Sequence, residues 1–275
     1  MINKNKKSNI GFSSIALIIL ALIGGFAIIA IIAYILGAFG DPNKINEGMK
    51  CRLTIQASAT LQEATQGITP EKLIDACHTI QTTIPRKESY PTIAKSLNRM
   101  TKDQLKEVVL FDFAELINNA WWITGEGDRS DYLLKRFAQF FSGTKDCYVV
   151  YAIRIHTPQE FTTIPDNELQ FELSSITRAD IKGGSSSGDQ RTIREYITLD
   201  GKGAGVFLNT SDSKIEYKEQ GADPLYGIAV GFAEKGKIAK LFTELFKGKS
   251  IEISPGASFI YIAPYDKIGS MCRVI

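Results

Sequence analysis

Histidine is almost missing from this 275-residue chain, with His78 and His156 the only two. A zinc site built from two histidines on one helix needs them close together, so their spacing excludes that chemistry. A basic excess is missing as well. There are 32 lysines and arginines against 30 acids, and they do not gather into the positive stripe that a nucleic-acid binder would carry. The four cysteines, Cys51, Cys77, Cys147 and Cys272, are too widely spaced for a Cys-x-x-Cys metal knuckle. No internal repeat is visible. The largest gap is in charge itself, for none occurs between Lys7 and Asp41.

Apolar residues fill that gap. Positions 15–40 read IALIILALIGGFAIIAIIAYILGAFG. A bilayer core about 30 Å thick needs roughly 20 helical residues to span it, so a transmembrane helix is expected over 15–36. A cleaved secretory signal would have an apolar region of only about 7 to 15 residues. Lys4, Lys6 and Lys7 precede the span without an acid among them, whereas Asp41, Lys44, Glu47 and Lys50 follow it in balance. Short lysine-rich segments stay on the cytoplasmic side. The expected layout is a cytoplasmic tail over 1–14, the span over 15–36, a polar stalk over 37–50 and an extracytoplasmic domain beyond. Without the three tail lysines, 29 basic residues face 30 acids in that outer part.

An oxidising compartment changes what four cysteines mean, because disulfides persist there. Four cysteines allow three connectivities, and spacing alone does not choose among them. Cys51 with Cys77 and Cys147 with Cys272 would each staple one half of the domain. Asn209-Thr210-Ser211 is a glycosylation sequon, whose occupancy would require it to face outward.

The pattern predicts an α+β fold: a helical part over 51–146, then a β-rich part over 147–275 with a mostly antiparallel sheet and one late helix. Thr69-Pro70-Glu71 starts a helix whose Leu73, Ile74, Cys77 and Ile80 share a face. Thr101 and Gln104 form a capping box, and behind it Leu105, Val109, Phe113, Leu116 and Ala120 repeat at helical spacing, flanked by Asp112, Glu115 and Asn119. Leu133, Leu134, Phe137, Phe140 and Phe141 make a third apolar stripe. From Cys147 the period becomes two. Val149, Tyr151, Ile153 and Ile155 are expected on one strand face, residues 168–173 and 192–199 also alternate, and LYGIAVGF and FIYIA supply two more strands. Between those two, Ile238, Leu241, Phe242 and Leu245 mark the late helix. Residues 183–190, GGSSSGDQ, read as a flexible loop.

No string carries a catalytic signature, and no cofactor is implied. GFAEKGKI, residues 231–238, has the setting of a phosphate loop, but Ile238 replaces the hydroxyl that would hold magnesium and Glu234 sets a negative charge among the phosphates. Ser142 with Lys145 and Ser211 with Lys214 have Ser-x-x-Lys spacing without the companion motifs of the acyl-transfer enzymes that use it. Asp112 and Glu115 lie three apart on a helix, spacing that suits an acid and a base but more commonly marks a solvated face. A cysteine–histidine hydrolase would need Cys147 or Cys77 as an unpaired thiol beside a histidine.

The least ordinary string is AWWITGEGDRSDY, residues 120–132. Adjacent tryptophans point in different directions at a helix end, and Glu126 and Asp128 sit in a glycine-permitted turn, so Trp121, Trp122, Glu126 and Asp128 are candidate contacts for a protein partner at the cell surface. The competing reading is a helix end packed on the sheet. Trp121, Trp122, Gly125, Glu126 and Gly127, with the helix before them and the strand at Cys147, resemble an uncharacterised group of archaeal proteins with one N-terminal anchor. In that group a cysteine precedes the tryptophans, where this chain has Ala120. The resemblance implies an anchored, outward-facing protein and no activity. The N-terminus is also similar to type IV pilin precursors, through Lys6, Lys7 and Gly11-Phe12 before an apolar helix, with Ala16 where pilins carry glutamate. That likeness implies a filament subunit cut after Gly11. The combined expectation is an anchored protein with a structural or interaction role, the pilin-like subunit its first alternative and an extracytoplasmic hydrolase its second.

Overall fold

Strand β1 is Ile80–Ile84, a run of isoleucine and threonine whose burial rises and falls residue by residue as it should in a half-covered strand. The chain up to Ile80 is therefore not one continuous helix face. Cys77, His78 and Thr79 are already outside any helix, because IQTTI, β-branched at four of its five positions, prefers a pleated surface. This computed structural model describes residues 48–52, 55, 77–86, 97–124, 147–157, 163–181, 189–198, 204–208, 214–215, 225–232 and 258–272. All of them belong to one compact unit, Glu47–Ile275.

Helix α1, Lys102–Ile123, begins where its capping box predicts. The Gln104 N–H donates to Thr101 Oγ1 at 3.3 Å, and the Thr101 N–H donates to Gln104 Oε1 at 3.0 Å. Two N-terminal donors that the helix cannot satisfy itself are thus capped. The helix lies on one face of a five-stranded sheet ordered β1-β2-β6-β7-β4, in which β2 is Cys147–Ile155, β4 Ala204–Leu208, β6 Tyr226–Phe232 and β7 Ser258–Pro264. The central pairs β2 with β6 and β6 with β7 are antiparallel, and the outer pairs β1 with β2 and β4 with β7 are parallel. The class is α+β, and the sheet is mixed. A two-residue ribbon, β3 (Ile164–Pro165) with β5 (Lys214–Ile215), stands apart.

Two segments expected as strands are helices. Residues 168–173 lie in α2, Asp166–Ser175, and residues 193–198 form α3, Ile193–Thr198. Alternation misled in the first because Leu169 and Leu173 also sit four apart, so both are buried on one helical face while Phe171 between them is 72% exposed. In the second, Thr192 and Glu195 make a capping box: the Thr192 N–H donates to Glu195 Oε2 at 2.8 Å and the Glu195 N–H donates to Thr192 Oγ1 at 3.2 Å. Ile193, Tyr196 and Ile197 then fall inward at helical spacing.

The expected face of β2 is also corrected. Its register against β6 slips between Val149 and Tyr151, leaving Val150 as the extra residue of a bulge. Tyr148, Val150, Tyr151, Ile153 and Ile155 accordingly face the main core under α1, while Cys147 and Val149 face the smaller core on the opposite side. One added residue reverses the side on which every following side chain stands.

The main core sets Phe113 of α1 edge-on to Tyr226 of β6, with ring centroids 6.2 Å apart, and extends through Ile228, Val230, Ile260 and Ile262. Helix α4, Tyr265–Met271, covers the opposite face, where Ile268 packs with Phe259, Tyr261 and Ala263. Two glycines of β6 permit this closeness. A Cβ on Gly227 would lie 2.6 Å from Ile268, and one on Gly231 would lie 2.2 Å from the Phe259 ring.

Among the described residues no helix is long and apolar enough to cross a membrane. The span expected over 15–36, the tail, most of the stalk, the helix start at Thr69, the stripe from Leu133 and the late helix from Ile238 lie outside the described residues. At the end of the expected stalk, residues 48–52 have helical backbone, with Gly48 buried.

Candidate functional site

Charge is concentrated along one side of α1, inside the protein. Asp112 is fully buried and Glu115 is 6% exposed, so the flanking carboxylates are an internal seam and do not form the solvated face that their spacing suggests. Arg86, two residues beyond β1, faces both. Its backbone N–H donates to Asp112 Oδ2 at 2.7 Å, its Nε lies 3.5 Å from Asp112 Oδ1, and its Nη2 pairs with Glu115 Oε2. The Ile84–Pro85 peptide just before Arg86 is cis. Buried carboxylates are tolerated when a cation and hydrogen bonds accompany them. Tyr151 of β2 stands in the same field. Burial pushes its phenol above the ordinary value, Arg86 opposes this and Glu115 adds to it. The phenol is therefore a neutral hydroxyl at physiological pH and not a base.

One turn further along α1, Asn118 joins a second network. Arg178, in a 3-10 turn over Arg178–Asp180, donates from Nε to Asn118 Oδ1 at 3.3 Å and from Nη1 to Asp189 Oδ2 at 2.5 Å. Its guanidinium carbon lies 3.5 Å from the centre of the Tyr196 ring. Arg191 holds both oxygens of Asp189, donating to Oδ1 through Nε at 3.0 Å and its backbone N–H at 3.1 Å, and to the shared Oδ2 through Nη2 at 2.8 Å. The side-chain bond from Arg191 is the main reason the Asp189 carboxyl is held well below the usual carboxylate range; Arg178 adds to it and partial burial opposes it. Backbone bonds from Arg178 to Arg191 at 2.9 Å and from Ile193 to Ile176 at 3.0 Å close the same neck. The glycine- and serine-rich segment leaves the described structure from this neck, and residues 182–188 lie outside it.

A third contact closes the C-terminal end of α1. Trp121 is fully buried in the main core, so it has no surface to offer a partner. Trp122 is half-buried and covered by Arg52, whose guanidinium carbon is 4.3 Å from the ring centre and whose Nη1 donates to the Trp122 carbonyl. A cation at this end of a helix also complements the negative pole of its dipole. Glu126, Asp128 and the sequon Asn209 lie outside the described residues. So do both serines of the Ser-x-x-Lys pairs and residues 233–238 of the glycine-bounded string.

The cysteines pair as Cys51 with Cys77 and Cys147 with Cys272, at Cα separations of 4.5 and 4.7 Å. None is left free, which removes the unpaired thiol that a cysteine nucleophile requires. Both histidines are exposed. No group of three or more potential metal ligands occurs among the described residues.

Chemically, the seam and the neck hold elements together. Arg86 ties the exit of β1 to the middle of α1, and Arg178 ties the neck between 176–178 and 189–193 to the same helix. Sequence reasoning passed over Arg86, Arg178, Asp189, Arg191 and Arg52. The one local signal for them was the pair of capping boxes, Thr177 with Asp180 and Thr192 with Glu195, which frame the neck. No protein family, curated protein or solved structure matches the chain.

Proposed function

We propose that this protein is held in a membrane by residues 15–36, with its N-terminal tail in the cytoplasm and a disulfide-stapled head outside, and that the head serves a structural or interaction role at the cell surface. The observation that carries the reading is the closure of all four cysteines into two disulfides on a chain with an uncharged stretch long enough to span a bilayer. Disulfides of this kind persist where the compartment is oxidising, and the lysine-bearing end directs the head to that side. The similarity around Trp121 and Trp122 to the anchored archaeal group belongs to the same proposal. Its partner is a protein surface, met through parts of the head other than the buried Trp121.

Protease added to intact cells is the test. The reading expects the head to be digested while a membrane-retained N-terminal fragment survives, and expects carbonate washing to leave the full-length chain in the membrane fraction. A head untouched by external protease, or a full-length chain released by the wash, overturns it.

The pilin-like alternative is favoured by one specific feature, Gly11-Phe12 after two lysines and before the apolar run. N-terminal sequencing separates the two readings. A native chain starting near Met1 supports the anchor, and one starting at Phe12 supports the filament subunit.

A further inference from the structure

Strands β1 and β4 are the two edges of the sheet. On β4 an edge carbonyl is already taken, for Gln170 of α2 donates from Nε2 to the Val206 carbonyl at 3.1 Å. The β1 edge differs. The His156 N–H donates to the Ile84 carbonyl at 2.8 Å, and with Ile84 paired to Ile155 this fixes the ladder: the backbone groups of Ile80, Thr82 and Ile84 point to β2, and those of Gln81 and Thr83 point away from it. Among the described residues no hydrogen bond reaches those outward N–H and C=O groups. The Gln81 side chain accepts from Arg154 of β2 at 3.4 Å, a contact that turns it away from the edge. Both Gln81 and Thr83 are exposed. Sheets that stay monomeric usually guard such an edge with a charge, a proline or a bulge, and IQTTI contains none of these.

We propose that β1 is an interface between two copies of this chain, paired antiparallel about a two-fold axis at Thr82 so that two sheets become one. The strand has the same character read in either direction: isoleucine at each end, a polar residue next to each, threonine in the middle. Antiparallel pairing about Thr82 sets Ile80 opposite Ile84, Gln81 opposite Thr83 and Thr82 opposite itself, with no charge facing a charge. Gln81 and Thr83, whose backbone groups point outward, are then the residues that exchange hydrogen bonds across the pair. A shift of two residues in either direction would lose one of the two bonded pairs. On the face turned to the main core, Ile80 packs against that core and Ile84 lies within it, so the new isoleucine pairs would extend it. The contact is isologous and closes on itself, which stops assembly at a dimer. A five-residue strip is narrower than the roughly 800 Å² per partner of a standard interface, so the dimer is expected to form only as concentration rises. The argument uses contacts within the head and holds whether or not residues 15–36 cross a membrane.

Disulfide trapping reads the register. Across the axis the two Thr82 Cα atoms would lie about 4.5 Å apart, within reach of a disulfide, whereas the two Thr83 Cα atoms, out of step by two residues, would lie beyond the limit of about 7 Å. The full-length chain, in a large excess of detergent micelles, is mildly oxidised and run on a non-reducing gel. Thr82→Cys is expected to give about tenfold more linked dimer than Thr83→Cys, although Thr83 is the more exposed of the two and random collision would favour it. Thr83→Pro removes a donor that the single chain does not use, so it should keep the urea midpoint of the unaltered chain and lose the dimer in sedimentation. Sedimentation needs no new cysteine, and it decides the question if an added thiol disturbs the two native disulfides. Thr83→Cys linking as readily as Thr82→Cys overturns the inference, and so does a dimer that survives Thr83→Pro. An unaltered chain that sediments as a monomer at every concentration also overturns it, and leaves the edge to some other extended segment.

Discussion

Arg86 meets Asp112 through both its backbone and its side chain, so a residue just past an edge strand is held to the middle of a helix that begins sixteen residues later. The carboxylate it meets is wholly buried, whereas the arginine side chain is 22% exposed. The pair is less a surface bridge than a plug driven into the side of the core.

Arg86→Met is expected to destabilise the head by about 3 kcal/mol, because it strips the guanidinium from two buried carboxylates while keeping most of the side-chain volume. Arg86→Met/Asp112→Leu should be less unstable than Arg86→Met alone, since it removes one of the stranded charges. Urea midpoints of the three chains, at equal detergent concentration, check the order. A double variant weaker than the single one would mean that Asp112 is held chiefly by partners other than Arg86.

The two disulfides close loops of different length, with partners 26 and 125 residues apart. On the chain-entropy account, losing Cys51–Cys77 costs about 3.5 kcal/mol and losing Cys147–Cys272 about 5 kcal/mol. Serine replacement of each pair, followed by urea unfolding, should show the longer loop to be the more costly to open.

Asp189 sets a pH dependence with a definite sign. Its folded pKa is depressed by Arg191 and Arg178, below an unfolded value of about 3.9. The stability it contributes is therefore fully present above that value and disappears as pH falls through it toward the folded pKa. Asp189→Asn should lower the unfolding midpoint at pH 6 to 7, and its deficit relative to the unaltered chain should shrink steadily below about pH 4. A deficit independent of pH would mean that the carboxylate acts there by shape and not by charge.

Gly231→Ala is expected to cost about 1–3 kcal/mol, the usual range for an overfilled core. The new methyl would meet the Phe259 ring at 2.2 Å, and that ring is 1% exposed, with little room to swing aside. Gly231→Ala/Phe259→Leu should recover part of the loss in thermal melts.

Several features were legible locally. The start of α1 was written in Thr101 and Gln104, and its buried stripe in Leu105, Val109, Phe113, Leu116 and Ala120, because capping and helical period involve residues no more than four apart. Strands β2, β6 and β7 announced themselves by their β-branched and aromatic runs. The even number of cysteines pointed to disulfides before any pairing was known.

Other features were settled by residues distant in the chain. Residues 168–173 suited a strand and a helix equally well, and burial of Leu169 with Leu173 but not Phe171 decided for the helix. The bulge at Val150 depends on how β6 lies beside β2. Asp112 and Glu115 resembled solvated carboxylates until Arg86, 26 residues from Asp112, turned toward them.

Taken alone, the amino-acid order determined where helices and strands can start, which faces are apolar, the uncharged stretch over 15–40 and the parity of the sulfurs. Each follows from short-range backbone geometry or from counting. Tertiary structure alone decided which cysteine meets which, which side of β2 each residue occupies, and whether a carboxylate lies in water or against a guanidinium. Those outcomes depend on the free energy of contacts between segments tens of residues apart, which no local pattern encodes.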